Sequence, residues 1–257
     1  MKLHAQKYGE GPALLILHGL FGSGDNWASL AKRYGEHFQV HCIDQRNHGR
    51  SPHHPKHSYP AMAEDLMEYL DDHALGKVRI VGHSMGGKTA MFFAADYPQK
   101  VERLLVADIG PWSYPVHHGS IIQAMKALHL GEYKRRSEVE DAFAQSGLDA
   151  ATRMFLLKSI YRKNGAFAWR FNLEGLAQEI EEVGRALPES AGFDGPCLFL
   201  KGGLSAYVPQ NRWPEVLNNF PNAELDTIDQ AGHWLHAEAP NPFFERSMHF
   251  FQSADLR

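Results

Sequence analysis

The sequence predicts an α/β fold: a mostly parallel sheet of about seven strands flanked by helices, with an inserted helical cap. Three observations carry that expectation. Short apolar runs alternate with longer helical patterns over residues 1–111 and 194–257, which defines the core. Strand-like runs vanish over residues 112–193, the expected cap or lid. One strand-to-helix junction, Val81-Gly82-His83-Ser84-Met85-Gly86-Gly87, has the glycines of a very sharp turn.

Element by element, residues 2–8 read as an edge strand, turning through Gly9-Glu10-Gly11-Pro12 into a buried strand at 13–17. Strands follow at 38–43, 78–81, 101–107, 196–200 and 223–228. Helices are expected over 60–73, from Lys88 to Ala95 after the sharp turn, and over 209–219 and 241–252. The cap presents helical windows at 120–130, 137–145, 149–161 and 173–186. Its aromatics Tyr114, Phe155, Tyr161, Phe167, Trp169 and Phe171 could line a pocket, but most should form the cap's own core.

A chain of 257 residues with 44% hydrophobic and 22% charged residues suits one large enzyme-sized domain. A net charge of −4 and no basic tract leave no field for nucleic acid. The apolar run at 13–17 is too short to span a membrane, and Met1-Lys2-Leu3-His4-Ala5-Gln6-Lys7 lacks a signal-peptide core. Cys42 and Cys197, each in an expected buried strand, read as reduced thiols, so a cytoplasmic location is expected. Of the 16 histidines, His48, His53, His54 and His57 cluster around prolines in a loop, without metal-ligand spacing. No metal and no cofactor is expected.

The junction fills G-x-S-x-G as Gly82-His83-Ser84-Met85-Gly86 between a strand and a helix. A serine there sits above the sheet edge at a helix N-terminus, where an oxyanion would be stabilised. A serine hydroxyl needs a base, and a base needs an orienting carboxylate. His233, preceded by Gly232 after the last strand, is the best base, whereas His236 suits a supporting or surface position. The loop after strand 196–200 carries Ser205 where an acid would be sought, and Asp194 and Glu215 lie outside it. Asp108, ending strand 101–107, is therefore the favoured acid, with Ser205 as a hydroxyl donor beside it. Asp44 precedes the serine and fits a structural turn with Arg46 and Gly49. The oxyanion donors are expected to be the Met85 and Leu20 amides, the latter in the turn His18-Gly19-Leu20-Phe21-Gly22. Candidate substrate-pocket residues are Phe21, Trp112, Phe155, Trp169, Tyr207 and Trp234.

His18-Gly19, Asp44-x-Arg46-x-x-Gly49-x-Ser51, Gly82-His83-Ser84-Met85-Gly86-Gly87 and Gly232-His233, in this order, resemble the α/β-hydrolase fold. Finer features resemble the YbfF-type bacterial esterases: His18-Gly19-Leu20-Phe21-Gly22-Ser23, Arg46-Asn47-His48-Gly49, Tyr59-Pro60-Ala61-Met62-Ala63, Trp169-Arg170-Phe171-Asn172 and Gly203-Leu204-Ser205-Ala206-Tyr207-Val208. The resemblance implies Ser84, Asp108 and His233 as the triad. It also implies hydrolysis of small-molecule carboxylic esters, with acyl-CoA thioesters as further substrates. Similar dehalogenases and epoxide hydrolases carry aspartate at the turn, which Ser84 argues against. The enzyme alternative is a lyase of menaquinone biosynthesis, a group to which Gly22-Ser23-Gly24-Asp25-Asn26-Trp27 and Ser84-Met85-Gly86-Gly87 look similar; Ser205 counts against it, since those enzymes take their acid from that loop. A noncatalytic ligand-binding protein on the same fold is the rival of another class.

Overall fold

The computed structural model describes residues 1–253. The first part of the chain runs β1 (Ala5–Tyr8), β2 (Ala13–Leu17), α1 (Ala28–Tyr34), β3 (Gln39–Ile43), α2 (Tyr59–Asp72), β4 (Val78–His83), α3 (Met85–Asp96) and β5 (Val101–Ala107). The cap segment then supplies α4 (Gly119–Ala127), α5 (Arg136–Ala144), α6 (Ala150–Leu157), the short strands β6 (Ile160–Lys163) and β7 (Ala166–Trp169), α7 (Leu173–Gln178) and α8 (Ile180–Val183). The chain returns through β8 (Cys197–Gly202), α9 (Trp213–Asn219), β9 (Ala223–Ile228), α10 (Leu235–Glu238) and α11 (Pro240–Gln252).

Seven strands form one sheet in the order β1-β3-β2-β4-β5-β8-β9, parallel throughout except for the edge pair β1–β3. Period-two alternation in apolar strands makes both faces bury side chains. Leu14, Ile16, Val81, Leu105 and Leu200 point to one face, where Leu30 and Tyr34 of α1 and Phe243 and Phe251 of α11 cover them. Leu15, Leu17, Ile80, Val106 and Phe199 point to the other, under Leu66 of α2, Met91 of α3 and Val216 of α9. Burying each such side chain contributes roughly 1.5–3 kcal/mol. The helices after β2 and β4 thus lie on opposite faces, so the loops leaving those two strands diverge. A crevice opens there at the carboxyl ends of the strands.

The cap departs from the expected helical block. β6 and β7 pair as an antiparallel hairpin around Asn164 and Gly165, which have φ of 52° and 87°. Two successive positive φ values are the mark of a type I′ turn, and Asn-Gly is its preferred sequence. The helix expected over 149–161 accordingly stops at Leu157, and the one expected over 173–186 is split into α7 and α8. The short helix α1 was not expected; only Leu30, Ala31 and Tyr34 mark its buried face.

Both ends of the cap segment are fastened to α3 by Lys88, whose side chain is wholly buried. Its Nζ donates to the carbonyls of Pro111 (3.3 Å) and Trp112 at one end and Arg185 (2.7 Å) at the other. Burial, and secondarily the Arg212 charge, push this ammonium down to about 7. Cys42 and Cys197 are free and buried in β3 and β8. Among the described residues no helix is long and apolar enough to cross a membrane.

Candidate active site

β4 ends at His83 and α3 begins at Met85, leaving Ser84 at the turn with φ 52° and ψ −119°. That backbone is costly for any residue with a Cβ, and neighbours must hold it. The Ser84 N–H donates to Ala107 O (3.1 Å), and its carbonyl accepts the Lys88 N–H (3.0 Å). Strand and helix also approach too closely for side chains at two positions. A Cβ on Gly82 would lie 2.4 Å from Gly86 O, and one on Gly86 would lie 2.3 Å from Leu17 O.

His233, in the loop between β9 and α10, reaches back across the sheet edge. Its Nε2 lies 3.0 Å from Ser84 Oγ and its Nδ1 2.8 Å from Asp108 Oδ2. Asp108 directly follows β5, also at positive φ (52°), and its side chain is fully enclosed. The other carboxylate oxygen accepts the Gly202 N–H at 3.0 Å, and Ser205 Oγ donates to the oxygen that faces His233. This convergence follows from strand order: β5 and β8 are parallel neighbours with Ala107 beside Leu200, so the loop after β8 arrives next to Asp108. The other carboxylates are occupied elsewhere. Glu215 pairs with Arg212 at the surface, and buried Asp44 accepts the Gly24 and Arg50 amides. Arg46 pairs with Asp65 (2.6 Å) rather than with the Asp44 turn.

His233 is braced from its own loop and from the neighbouring strand ends, and its ring also borders the cavity. The Tyr207 ring stacks on the imidazole with centroids 3.9 Å apart. Tyr114 Oη donates to the Tyr207 carbonyl (2.6 Å) and accepts the Gly110 N–H (2.7 Å). His83 Nε2 donates to the His233 carbonyl at 2.8 Å. Burial first, then His236 and His233, drive His83 well below the usual imidazole range, so it serves as a neutral donor. His236 is buried, stacked on Trp27 at 4.1 Å and lowered to about 3, chiefly by burial. The sequence carried no signal for the supporting contacts of His83 and Tyr114.

Among the described residues, neither the Leu20 nor the Met85 amide donates to a protein acceptor. Both residues border a cavity of about 490 Å³ that opens over Ser84. That size suits a small-molecule site. Val116, Ile121, Phe155 and Val183, from the segment between β5 and β8, line the cavity together with Phe21, Tyr207 and Trp234. No Asp, Glu, Lys or Arg is among the described lining residues.

Two pocket expectations are corrected. Trp112 lies outside the lining: its ring is covered by the Arg212 guanidinium at 4.2 Å and tilts against Tyr114. Trp169 also lies outside it, because β7 turns its ring onto Phe171 (5.3 Å) and Phe143 (6.1 Å) inside the cap. Of the histidine-rich loop, His48 and His57 are buried while His53 and His54 are exposed. Among the described residues, no group of three or more His, Cys, Asp or Glu could hold a metal ion.

A hydroxyl in contact with an imidazole, itself backed by a carboxylate, can pass its proton to the ring as it attacks a carbonyl. Comparison with known proteins gives the same direction. Residues 12–137 match a family model described as the α/β hydrolase fold. The chain is 42% identical over 244 residues to a mouse protein named sn-1-specific diacylglycerol lipase ABHD11, covering 91% of this chain and 79% of that one. It is 35% identical to Esterase YbfF of Escherichia coli strain K12, covering 92% of each. A solved structure titled marine microorganism esterase superposes with a TM-score of 0.92 at 44% identity, covering 97% of this chain and 99% of that one. The chain belongs to the α/β-hydrolase family of esterases and lipases.

Proposed function

We propose that this protein hydrolyses carboxylic acyl esters through an acyl-enzyme on Ser84. The observation that carries the reading is the unbroken chain of contacts Ser84 Oγ, His233 Nε2, His233 Nδ1, Asp108 Oδ2, at 3.0 Å and 2.8 Å across the two gaps. Ser84 attacks the acyl carbonyl while His233 takes its proton; the ring then protonates the departing alcohol. Asp108 holds the hydrogen on Nδ1, so that Nε2 is the free base, and stabilises the imidazolium. The Leu20 and Met85 amides receive the oxyanion, aided by the N-terminus of α3. A water activated by His233 releases the acid and restores the serine.

A lining without Asp, Glu, Lys or Arg among the described residues supports neutral acyl chains, as does the resemblance to proteins named diacylglycerol lipase and esterase. An acyl-CoA thioester could use the same chemistry only with its phosphates outside the cavity. The test is a fluorophosphonate probe followed by a screen of p-nitrophenyl esters, diacylglycerol and acyl-CoAs of graded chain length. Labelling at Ser84 and loss of turnover by ~10⁴-fold in Ser84→Ala are the expected results. Folded protein that stays unlabelled and inactive would instead support a binding role.

A further inference from the structure

The loop that carries the Leu20 amide is braced by groups that the reaction does not use. Phe21, the next residue, has φ of 61°. A positive φ is strained for a residue with a Cβ, so the conformation must be held from outside. Both peptide groups of Phe21 are held. Its N–H donates to His48 Nε2 (3.1 Å), and its carbonyl accepts from Ser159 Oγ (2.8 Å). His48 belongs to the core. Its Nδ1 faces the Arg46 carbonyl at 2.9 Å and so carries the hydrogen, leaving Nε2 as the acceptor.

Ser159 belongs to the cap and sits, buried, between α6 and β6. It is rigidly placed: its N–H donates to Leu156 O (2.9 Å), and its carbonyl accepts the Arg170 N–H (2.8 Å) across the hairpin. A second cap contact ends beside the first brace. Asn172 N–H donates to the Asn47 carbonyl (2.8 Å), and Asn172 Nδ2 donates to Asn47 Oδ1 (3.0 Å). Asn47 adjoins His48 in the chain. The helix that ends just before Ser159 also lines the cavity through Phe155 and Leu156. The cap wall that meets substrate and the hydroxyl that holds the oxyanion loop are therefore one short stretch of chain.

We propose that Ser159 is a positioning residue through which the seated cap sets the Leu20 oxyanion donor. The inference rests on the ester-hydrolase reading above and adds that the oxyanion site is completed by the cap. Without the Ser159 hydroxyl the Phe21 carbonyl is buried without that donor. The strained peptide then relaxes, and the Leu20 N–H leaves its line to the oxyanion. Only the tetrahedral state uses that donor fully, so the loss appears in the chemical step and not in substrate binding.

The experiment uses Ser159→Ala and, as a variant that keeps side-chain size, Ser159→Cys. For each, kcat and KM on one p-nitrophenyl ester are compared with the affinities of a trifluoromethyl ketone and of the product carboxylate. The ketone forms a hemiketal oxyanion on Ser84, whereas the carboxylate product does not. The expected result is a fall of about tenfold in kcat and an equal fall in ketone affinity, with KM and product affinity within about twofold. Ser159→Cys, which keeps a weak S–H donor, should lose less. Unchanged kcat and ketone affinity in folded Ser159→Ala, which keeps no side-chain donor, would overturn the proposal. So would a parallel loss of ketone and product affinity, which marks general loosening of the cavity. A wild-type protein that forms no ketone adduct at Ser84 would sink the ester-hydrolase reading itself, and this inference with it.

Discussion

Replacing Asp108 by Asn tests the site most sharply, because the surrounding donors dictate how the amide must turn. The carboxylate accepts from Gly202 N–H on one oxygen and from Ser205 Oγ and His233 Nδ1 on the other. If the Asn oxygen stays towards Gly202, its NH2 faces His233, and Nδ1 must then accept. The ring hydrogen moves to Nε2, pointing at Ser84 Oγ, and the base is lost. If the amide flips, its NH2 faces the Gly202 N–H at about the present 3.0 Å. That leaves a buried donor unpaired at about 1–3 kcal/mol. The flipped form keeps the useful tautomer but lacks the charge opposite the imidazolium, an attraction of a few kcal/mol at an effective dielectric near 20. The two costs sum to roughly 5–6 kcal/mol, or about 10⁴-fold in kcat. The same substitution in the serine-protease template costs about as much. Ser205→Ala removes one hydrogen bond to a carboxylate that retains two others, so about 5- to 30-fold is expected. The assay is kcat on one activated ester, with thermal melts to confirm folding. A loss below about 30-fold in folded Asp108→Asn, with Ser205→Ala inactive, would refute Asp108 as the orienting acid.

Two further predictions concern stability and pH. Burial lowers His41 to about 4 and His57 and His236 to about 3, so below pH 6.5 the unfolded chain binds protons that the folded chain refuses. Their contribution is complete above pH 6.5 and is lost as pH falls, at about 1.4 kcal/mol per pH unit for each. Urea midpoints should therefore drop steeply between pH 6.5 and 4.5, and a constant midpoint across that window would contradict neutral burial. Lys88 acts in the same direction at higher pH, since burial lowers its pKa from 10.5 to about 7. Between those values the unfolded chain keeps a proton that the folded chain has released, so stability rises with pH. The unfolding free energy of wild type minus that of Lys88→Met should grow by about 1.4 kcal/mol per pH unit from pH 7.5 to 9.5. A pH-independent difference would show that the buried group stays charged.

The sequence by itself determined the features that are local in the chain. Alternating apolar runs place β2 through β5 with β8 and β9, and the glycines around Ser84 mark a turn that only close packing of β4 on α3 would require. The β6–β7 hairpin was legible too, in Asn164-Gly165 between aromatic and β-branched residues, but the helical periodicity on either side masked it. What only the tertiary structure decided is what meets across space. The sequence suggested Ser205 beside Asp108, but that these two, 97 residues apart, share a hydrogen bond rests on β5 and β8 being in-register neighbours, an order that no local pattern encodes. Trp169 and Phe155 are both cap aromatics, yet one packs inward and the other faces the cavity, because one lies on a strand and the other on a helix. Ser159 gave no signal at all. A serine's single hydroxyl acquires meaning only from the carbonyl opposite it, and that partner stands 138 residues away, placed there by the seating of the cap.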